Sequence, residues 1–283
     1  MNTSHALSTH QLTPPDFSII TIHDGSGDAS DLLACCVASL ADQEGTKSEH
    51  VLQHLGGANN LWNKLSKELN LSKRAQRYTL RLLEEKNSNF YEALSRATTR
   101  TAGTFVGFLQ PKEQFLPGAL IAVEKYFNAH PETDLLFTGA LQHHEGKITP
   151  RPALPLSLEY LWTAYPSILS STLFFRAALL KKDFPLNPAY QHLMLEEWLL
   201  RVLQAGKKVD LLSIATTLSP AASSQKNDQE IPLLPSAPAL MKLLTPWWQL
   251  RHSCAAKKAK RQFPAATPCM AYQLNSLTER RKI

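Results

Sequence analysis

Short apolar runs alternate with amphipathic segments along most of the chain. Residues 17–22 (FSIITI) are rich in β-branched side chains and end in the turn cluster HDGSG, which predicts a buried strand followed by a loop. Asp28 or Ser30 can cap the next segment, whose apolar positions recur at helical spacing. Those positions are Leu32, Leu33, Cys36, Val37 and Leu40. A strand, a loop and a helix in this order form the first half of a βαβ unit.

Further strands are predicted wherever a short apolar run is bounded by turn residues. Residues 104–109 (TFVGFL) follow a helical segment that ends at Gly103, and residues 134–138 (DLLFT) and 171–176 (STLFFR) have the same character. Pro117 occupies a favourable first helical position before another apolar stripe. Strands that alternate with helices predict an α/β fold with a mostly parallel central sheet flanked by helices.

The composition divides the chain into four parts. Residues 1–14 are expected to be a disordered N-terminus, and residues 15–218 to form one α/β domain. Residues 219–238 are rich in Pro and Ser and are expected to be a linker. Residues 239–283 are expected to form a basic, amphipathic helical tail.

Charge is concentrated in that tail. The net charge of the chain is +6, yet residues 242–283 hold nine Lys or Arg against one acid, Glu279, so the preceding residues sum to −2. The tail also contains Trp247 and Trp248 ahead of a lysine cluster, which favours an anionic membrane surface as a partner. The alternative is a helix packed on the body with a basic end. No nucleic-acid partner is expected.

Targeting signals are absent from the sequence pattern. No run of eighteen apolar residues occurs, and the amino terminus lacks the basic-then-apolar order of a secretory signal. The four cysteines have no zinc-like spacing. We therefore expect a cytoplasmic protein, with a peripheral position at the inner membrane face if the tail binds lipid.

The order of several local motifs resembles the family 2 glycosyltransferases, which have the GT-A fold. The quoted stretches are FSIITI, EHVLQHLGG, NFYEALSRATTRTAGTFVGFL, FLPGAL, STLFFRAALL and EEWLLRVLQAG. Together they cover about residues 17–218 and leave the tail outside the resemblance. The resemblance implies a GT-A-like (Rossmann-like) sheet and transfer of a sugar from a nucleotide-diphosphate donor to a glycan or lipid-linked acceptor.

The resemblance also implies where the donor binds. Asp24 follows the first strand and corresponds to a base or ribose contact, with a turn residue bonded to its own backbone as the alternative. The family's aspartate after the second strand falls on His54 or Leu55, and neither carries a carboxylate.

A helix motif that resembles one of the family supplies three more candidates. In NFYEALSR, Tyr91 matches the family tyrosine, Glu92 replaces an aspartate, and Arg96 retains a cation suited to phosphate. We predict that these three residues contribute to nucleotide-sugar binding, with an exposed helical arginine as the alternative for Arg96.

The metal motif is altered. In residues 107–120 (GFLQPKEQFLPGAL), the slots of the family's acidic pair hold Lys112 and Glu113. The family's Mg²⁺ or Mn²⁺ is disfavoured because the Lys112 ammonium would repel the ion, and Glu113 is the one carboxylate left for a residual metal site. Lys112 can instead neutralise the diphosphate directly. The alternative is a solvated turn without a role.

The position of the catalytic base is also altered. With Trp198 as the anchor of the motif, the family's catalytic aspartate falls on Met194, which cannot accept a proton. Glu196 and Glu197 remain as candidate bases, and about 100° separates successive helical residues, so at most one of them can face the site. The alternative is a pair of acids that favour the helix N-terminus.

Two functions follow from these motifs. The first is a glycosyltransferase of hexosyltransferase type, for which catalysis without a metal ion is one option and a residual Mg²⁺ or Mn²⁺ site, disfavoured by Lys112, is the other. The second is a catalytically inactive pseudo-glycosyltransferase that acts as a binding or scaffold protein in glycan or cell-envelope assembly. Met194 and Lys112 are the residues that favour the second.

Overall fold

The computed structural model describes most of the chain. The described residues are 4–6, 14–25, 27–56, 65, 69, 77–85, 88–153, 155–164, 168–180, 184–220, 245–263, 269–273 and 276–283. The predicted linker lies outside them, except for its first two residues, which belong to a strand.

Ten strands of the described chain form one mixed sheet. Its order is β1-β4-β3-β2-β5-β9-β7-β10-β6, with β8 paired to β7. The strands are β1 (Ser4–Ala6), β2 (Phe17–His23), β3 (Ser48–His54), β4 (Tyr78–Glu84), β5 (Phe105–Phe108), β6 (Gln114–Phe115), β7 (Leu135–His144), β8 (Lys147–Arg151), β9 (Leu173–Arg176) and β10 (Val209–Pro220). β4, β3, β2 and β5 are parallel neighbours, whereas β9 runs antiparallel between β5 and β7. The predicted α/β class with a mostly parallel centre is confirmed.

Helices cover both faces of this sheet. They are α1 (Gly27–Ala41), α2 (Phe90–Thr99), α3 (Ala119–Ala129), α4 (Leu158–Ala164), α5 (Met194–Gln204) and α6 (Thr245–Gln262). Strand β2 is buried throughout because its alternate side chains enter two different cores. Phe17 and Ile19 pack with α1 and α3, while Ile20 and Ile22 pack with α2 and α5. Burial on both faces explains the continuous apolar run in its sequence.

The end of the chain differs from the predicted helical tail. Helix α6 is followed by the hairpin β11 (Met270–Gln273) and β12 (Ser276–Lys282). This hairpin lies on the body. Arg280 donates to the carboxylate of Asp42 at 2.8 Å and to the carbonyl oxygens of Phe115 and Ser39 at 2.7 and 3.1 Å. Its guanidinium also lies over the ring of Tyr272. One charge of the basic tail is therefore used inside the fold, which the charge pattern could not reveal.

The amino terminus also differs from the expectation. Residues 4–6, predicted to be disordered, pair antiparallel with β4 at the edge of the sheet. Edge strands expose unpaired backbone groups, so even a short polar segment can add to them through backbone hydrogen bonds alone.

Within the described residues, no helix combines the length and the hydropathy needed to cross a membrane.

Candidate functional site

The carboxyl ends of parallel strands β2, β3 and β5 meet at one edge of the sheet. This is the edge at which open α/β sheets bind ligands. β2 ends at His23 and β3 ends at His54, and the two residues are direct partners in the register. Asp24 follows on the loop and is exposed. Asp24 and His54, two of the residues predicted to contact the nucleotide, therefore lie close together at this edge.

His54 is bonded to a histidine that the sequence analysis did not single out. The Nδ1 atoms of His23 and His54 are 2.9 Å apart and the rings are stacked, so the N–H of one imidazole donates a hydrogen bond to the nitrogen of the other. Both side chains are buried, and burial lowers the pKa of each. Burial thus favours the neutral form of both rings at this edge of the sheet.

A cavity of about 290 Å³ lies beside the same edge. Its wall includes Gln110 and Pro111 from the altered metal motif, together with Tyr91, Met194 and Glu196. These residues come from three separate segments, which the fold brings together. The cavity therefore brings Tyr91, a predicted donor contact, together with Glu196, a predicted base, whereas Asp24, His54, Lys112 and Glu113 are not among its lining residues.

Glu196 and Glu197 have different environments, as their neighbouring positions on the helix require. Glu196 lines the cavity, and burial raises its pKa to about 7. Burial, and secondly the charge of Glu196, raise the pKa of Tyr91 in the same wall. A carboxyl whose pKa lies near neutral pH can accept a proton efficiently at that pH.

Glu197 is held in an ion pair on the same helix. Its two carboxylate oxygens accept hydrogen bonds from Arg201 at 2.6 and 3.0 Å. Arg201 also donates to the carbonyl oxygen of Pro185. Through Arg201, Glu197 helps to tie α5 to the preceding loop. Glu197 is buried, both of its oxygens are engaged, and it does not line the cavity. Of the two candidate bases, only Glu196 faces the cavity.

The altered metal motif forms a tight turn. The carboxylate of Glu113 points inward and accepts the backbone N–H of Gln110 at 2.9 Å, while Lys112 is exposed. Burial raises the pKa of Glu113 to about 7. A buried carboxyl that closes its own turn, beside an exposed ammonium, does not fit the multiple oxygen ligands that Mg²⁺ or Mn²⁺ requires. Among the described residues, no group of three or more His, Cys, Asp or Glu is placed to hold a metal ion.

The burial of Glu113 predicts a pH-dependent stability. Because its pKa is raised above the unfolded value of 4.5, folding disfavours the ionised form, and stability falls as pH rises from about 4.5 through 7. Glu113→Gln removes this dependence, so the variant is expected to gain about 1–3 kcal/mol relative to wild type between pH 5 and pH 8. Urea denaturation of both proteins at the two pH values measures the difference. A difference that is constant with pH would contradict the assignment.

Arg96 and Glu92 do not line the cavity. The Arg96 guanidinium pairs with Glu85 at 3.0 Å and with Glu92 at 3.6 Å, and it donates to the hydroxyl of Ser88. These contacts join α2 to the end of β4. Of the three candidates in NFYEALSR, only Tyr91 reaches the cavity.

The cavity wall also contains residues that the sequence analysis missed. They are Gln191 and His192, which precede α5. The backbone of Gln191 has φ 45° and ψ −119°, a conformation that residues other than glycine rarely adopt. Strained residues of this kind cluster at functional sites. Nothing in the sequence indicates it, because glutamine is not a residue associated with positive φ.

Comparisons with solved structures agree with this architecture. No protein-family model matches the chain, and neither does any curated protein. The crystal structure of S. aureus TarS 1-349 matches at 16% identity, with a TM-score of 0.56 over 72% of this chain. The structure of TarS 1-349 in complex with UDP-GlcNAc matches at the same identity, with a TM-score of 0.57 over 86% of this chain. The mannosyltransferase PcManGT from Pyrobaculum calidifontis, in complex with GDP-Man and Mn²⁺, matches at 13% identity, with a TM-score of 0.55 over 91%.

These likenesses establish a GT-A-like fold. The chain spans 60% of the length of the TarS 1-349 structure and 78% of PcManGT. At such identities the likeness shows the fold alone.

Proposed function

We propose that this protein is a nucleotide-sugar glycosyltransferase that works without a divalent metal ion. The observation that carries the proposal is Glu196, a carboxyl with a pKa near 7 in the wall of a cavity at the carboxyl edge of a GT-A-like sheet. Structural neighbours solved with UDP-GlcNAc and with GDP-Man support a nucleotide-diphosphate sugar as the donor class. The acceptor is a hydroxyl of a glycan or of a lipid-linked glycan.

Each step of the transfer has a candidate residue. Asp24 accepts a hydrogen bond from the base or ribose above the His23–His54 pair. Glu196 takes the proton from the acceptor hydroxyl as the oxygen of that hydroxyl attacks the anomeric carbon of the donor sugar. The bond from that carbon to the diphosphate breaks, and the nucleotide diphosphate leaves with both bonding electrons. The exposed ammonium of Lys112 neutralises the charge that develops on it.

The second candidate function is an inactive relative that binds glycans or nucleotide sugars as a scaffold. Met194 occupies the position where the resemblance places the catalytic aspartate, and it is buried. Arg96, Glu113 and Glu197 are all engaged in contacts within the fold. This second function requires that Glu196 has no part in turnover.

Calorimetric titration with UDP and GDP, with and without Mn²⁺, tests the donor site. We expect one nucleotide to bind with an affinity that Mn²⁺ leaves unchanged, because Lys112 replaces the ion. Lys112→Ala is expected to weaken binding about tenfold, the effect of one charge-assisted hydrogen bond. Lys147→Ala, an exposed position at the start of β8, is the matched control and should bind as wild type. Failure to bind either nucleotide would sink the donor site, and binding only with Mn²⁺ would sink the metal-independent mechanism.

A further inference from the structure

Helix α6 has one face that is packed against the body. Turning at about 100° per residue, Trp248 and His252 fall on the same side of the helix as the following Phe263. The ring of His252 lies 4.0 Å from that of Tyr160 on α4. Phe263 is buried, and its ring lies so close to Gly139 on β7 that a Cβ there would approach within 2.4 Å. This side of α6 therefore packs against the body.

The opposite face exposes two large apolar side chains. Trp247 is 53% exposed and Leu250 is 65% exposed. Trp247, Leu250 and five further exposed residues lie within an arc of roughly 120° around the axis of α6. Those residues are Arg251, Cys254, Lys257, Lys258 and Arg261. Because the packed face of α6 lies on the other side, Trp247 and Leu250 do not serve the hydrophobic core.

Positive charge accompanies these apolar side chains. Residues 251–261 hold five Lys or Arg and no acid. The guanidinium of Arg251 lies 5.5 Å from the centre of the Trp247 ring and 5.2 Å from that of Trp248. The exposed face therefore has aromatic and aliphatic groups towards its amino end and cations towards its carboxyl end.

We propose that this exposed face of α6 is a docking surface for an anionic lipid bilayer. Trp and Leu can enter the interface between headgroups and acyl chains, where tryptophan is favoured, while lysines attract acidic headgroups. A nucleic acid would use the cations through its phosphates but would leave Leu250 in water. The surface is α6 alone, because the hairpin β11–β12 packs on the body through Arg280 and Tyr272.

The position of α6 connects this surface to the cavity. α6 contacts α4, and α4 contacts α5, which carries Glu196. Ile168, just beyond α4, lines the cavity itself. Docking through α6 would bring the cavity close to the bilayer, which suits a lipid-linked acceptor. This last step rests on the proposed function, whereas the docking surface does not.

Vesicle flotation of the full chain tests the proposal. Wild type is expected to float with vesicles of phosphatidylcholine and phosphatidylglycerol, and salt should weaken the association. Lys257→Gln with Lys258→Gln should lower the partition coefficient about 25-fold, roughly fivefold for each charge removed. Trp247→Ser with Leu250→Ser should lower it at least tenfold, because buried apolar area is lost.

Matched variants elsewhere on the surface separate this face from general stickiness. Lys125→Gln with Lys147→Gln removes the same charge from other elements, and Met270→Ser removes another exposed apolar side chain. Both are expected to float as wild type. The proposal is overturned if wild type does not float, if the α6 variants float equally well, or if the protein binds a single-stranded oligonucleotide and no vesicle. Calorimetry with UDP and GDP on the same preparation tests the proposed function separately, since failure there leaves the vesicle result intact.

Discussion

Glu196→Gln is expected to lower turnover by about 10²–10⁴-fold while nucleotide affinity stays unchanged, because a glutamine of the same shape cannot accept the acceptor's proton. The change should leave the cavity intact, since glutamine retains the volume and hydrogen-bonding capacity of the side chain. Release of nucleotide diphosphate by hydrolysis measures the rate, with water as the acceptor and the nucleotide sugar whose nucleotide binds in calorimetry as the donor. Since burial raises the pKa of Glu196 to about 7, wild-type turnover should rise with pH through about 7.

Glu197→Gln is the matched control for Glu196→Gln. It weakens the buried ion pair with Arg201, so its cost should appear in stability, at about 1–3 kcal/mol, and not in the turnover of the folded protein. Turnover of Glu196→Gln within threefold of wild type would contradict the base assignment and would favour the scaffold function. A wild-type protein that binds nucleotide without any turnover would have the same consequence.

Trp198→Ala is expected to destabilise the protein by about 3–5 kcal/mol, the usual cost of truncating a large buried aromatic side chain. Trp198 is fully buried, and its ring lies 4.8 Å from that of Phe175 on β9. Its indole N–H donates to the carbonyl oxygen of Phe184 at 2.7 Å. Truncation leaves a cavity between α5 and the sheet and an unpaired carbonyl oxygen beside it. Urea denaturation followed by circular dichroism measures the loss.

Two further substitutions divide that cost into its parts. Trp198→Phe retains an aromatic ring but loses the hydrogen bond to Phe184, so it should cost about 1–3 kcal/mol. Trp247→Ala removes an indole that is 53% exposed and should stay within about 0.5 kcal/mol of wild type. If Trp198→Ala were no more destabilising than Trp247→Ala, the contact between Trp198 and β9 would not be what fixes the position of α5, the helix that carries Glu196.

Several features of the fold could be predicted from periodicity. The apolar run of β2 and the helical stripe of α1 indicated buried elements correctly, because hydrophobic burial is a local requirement that each segment must meet on its own. The family resemblance likewise pointed to the segment that contains Glu196. Neighbouring positions on a helix cannot face the same way, so the sequence also determined that only one of Glu196 and Glu197 could serve.

Only the tertiary structure decided which groups are free to act. Arg96, Glu113 and Glu197 looked like candidate site residues, yet each is bonded to a partner within the fold. The sequence offers several possible partners for each of them and does not show which one is used. The His23–His54 pair carries no sequence signal because it depends on how β2 and β3 meet, and the positive φ of Gln191 carries none because glutamine is not associated with that conformation. Charge and residue type are properties of the sequence, whereas the partner that satisfies a charge is chosen by the packing of the whole chain.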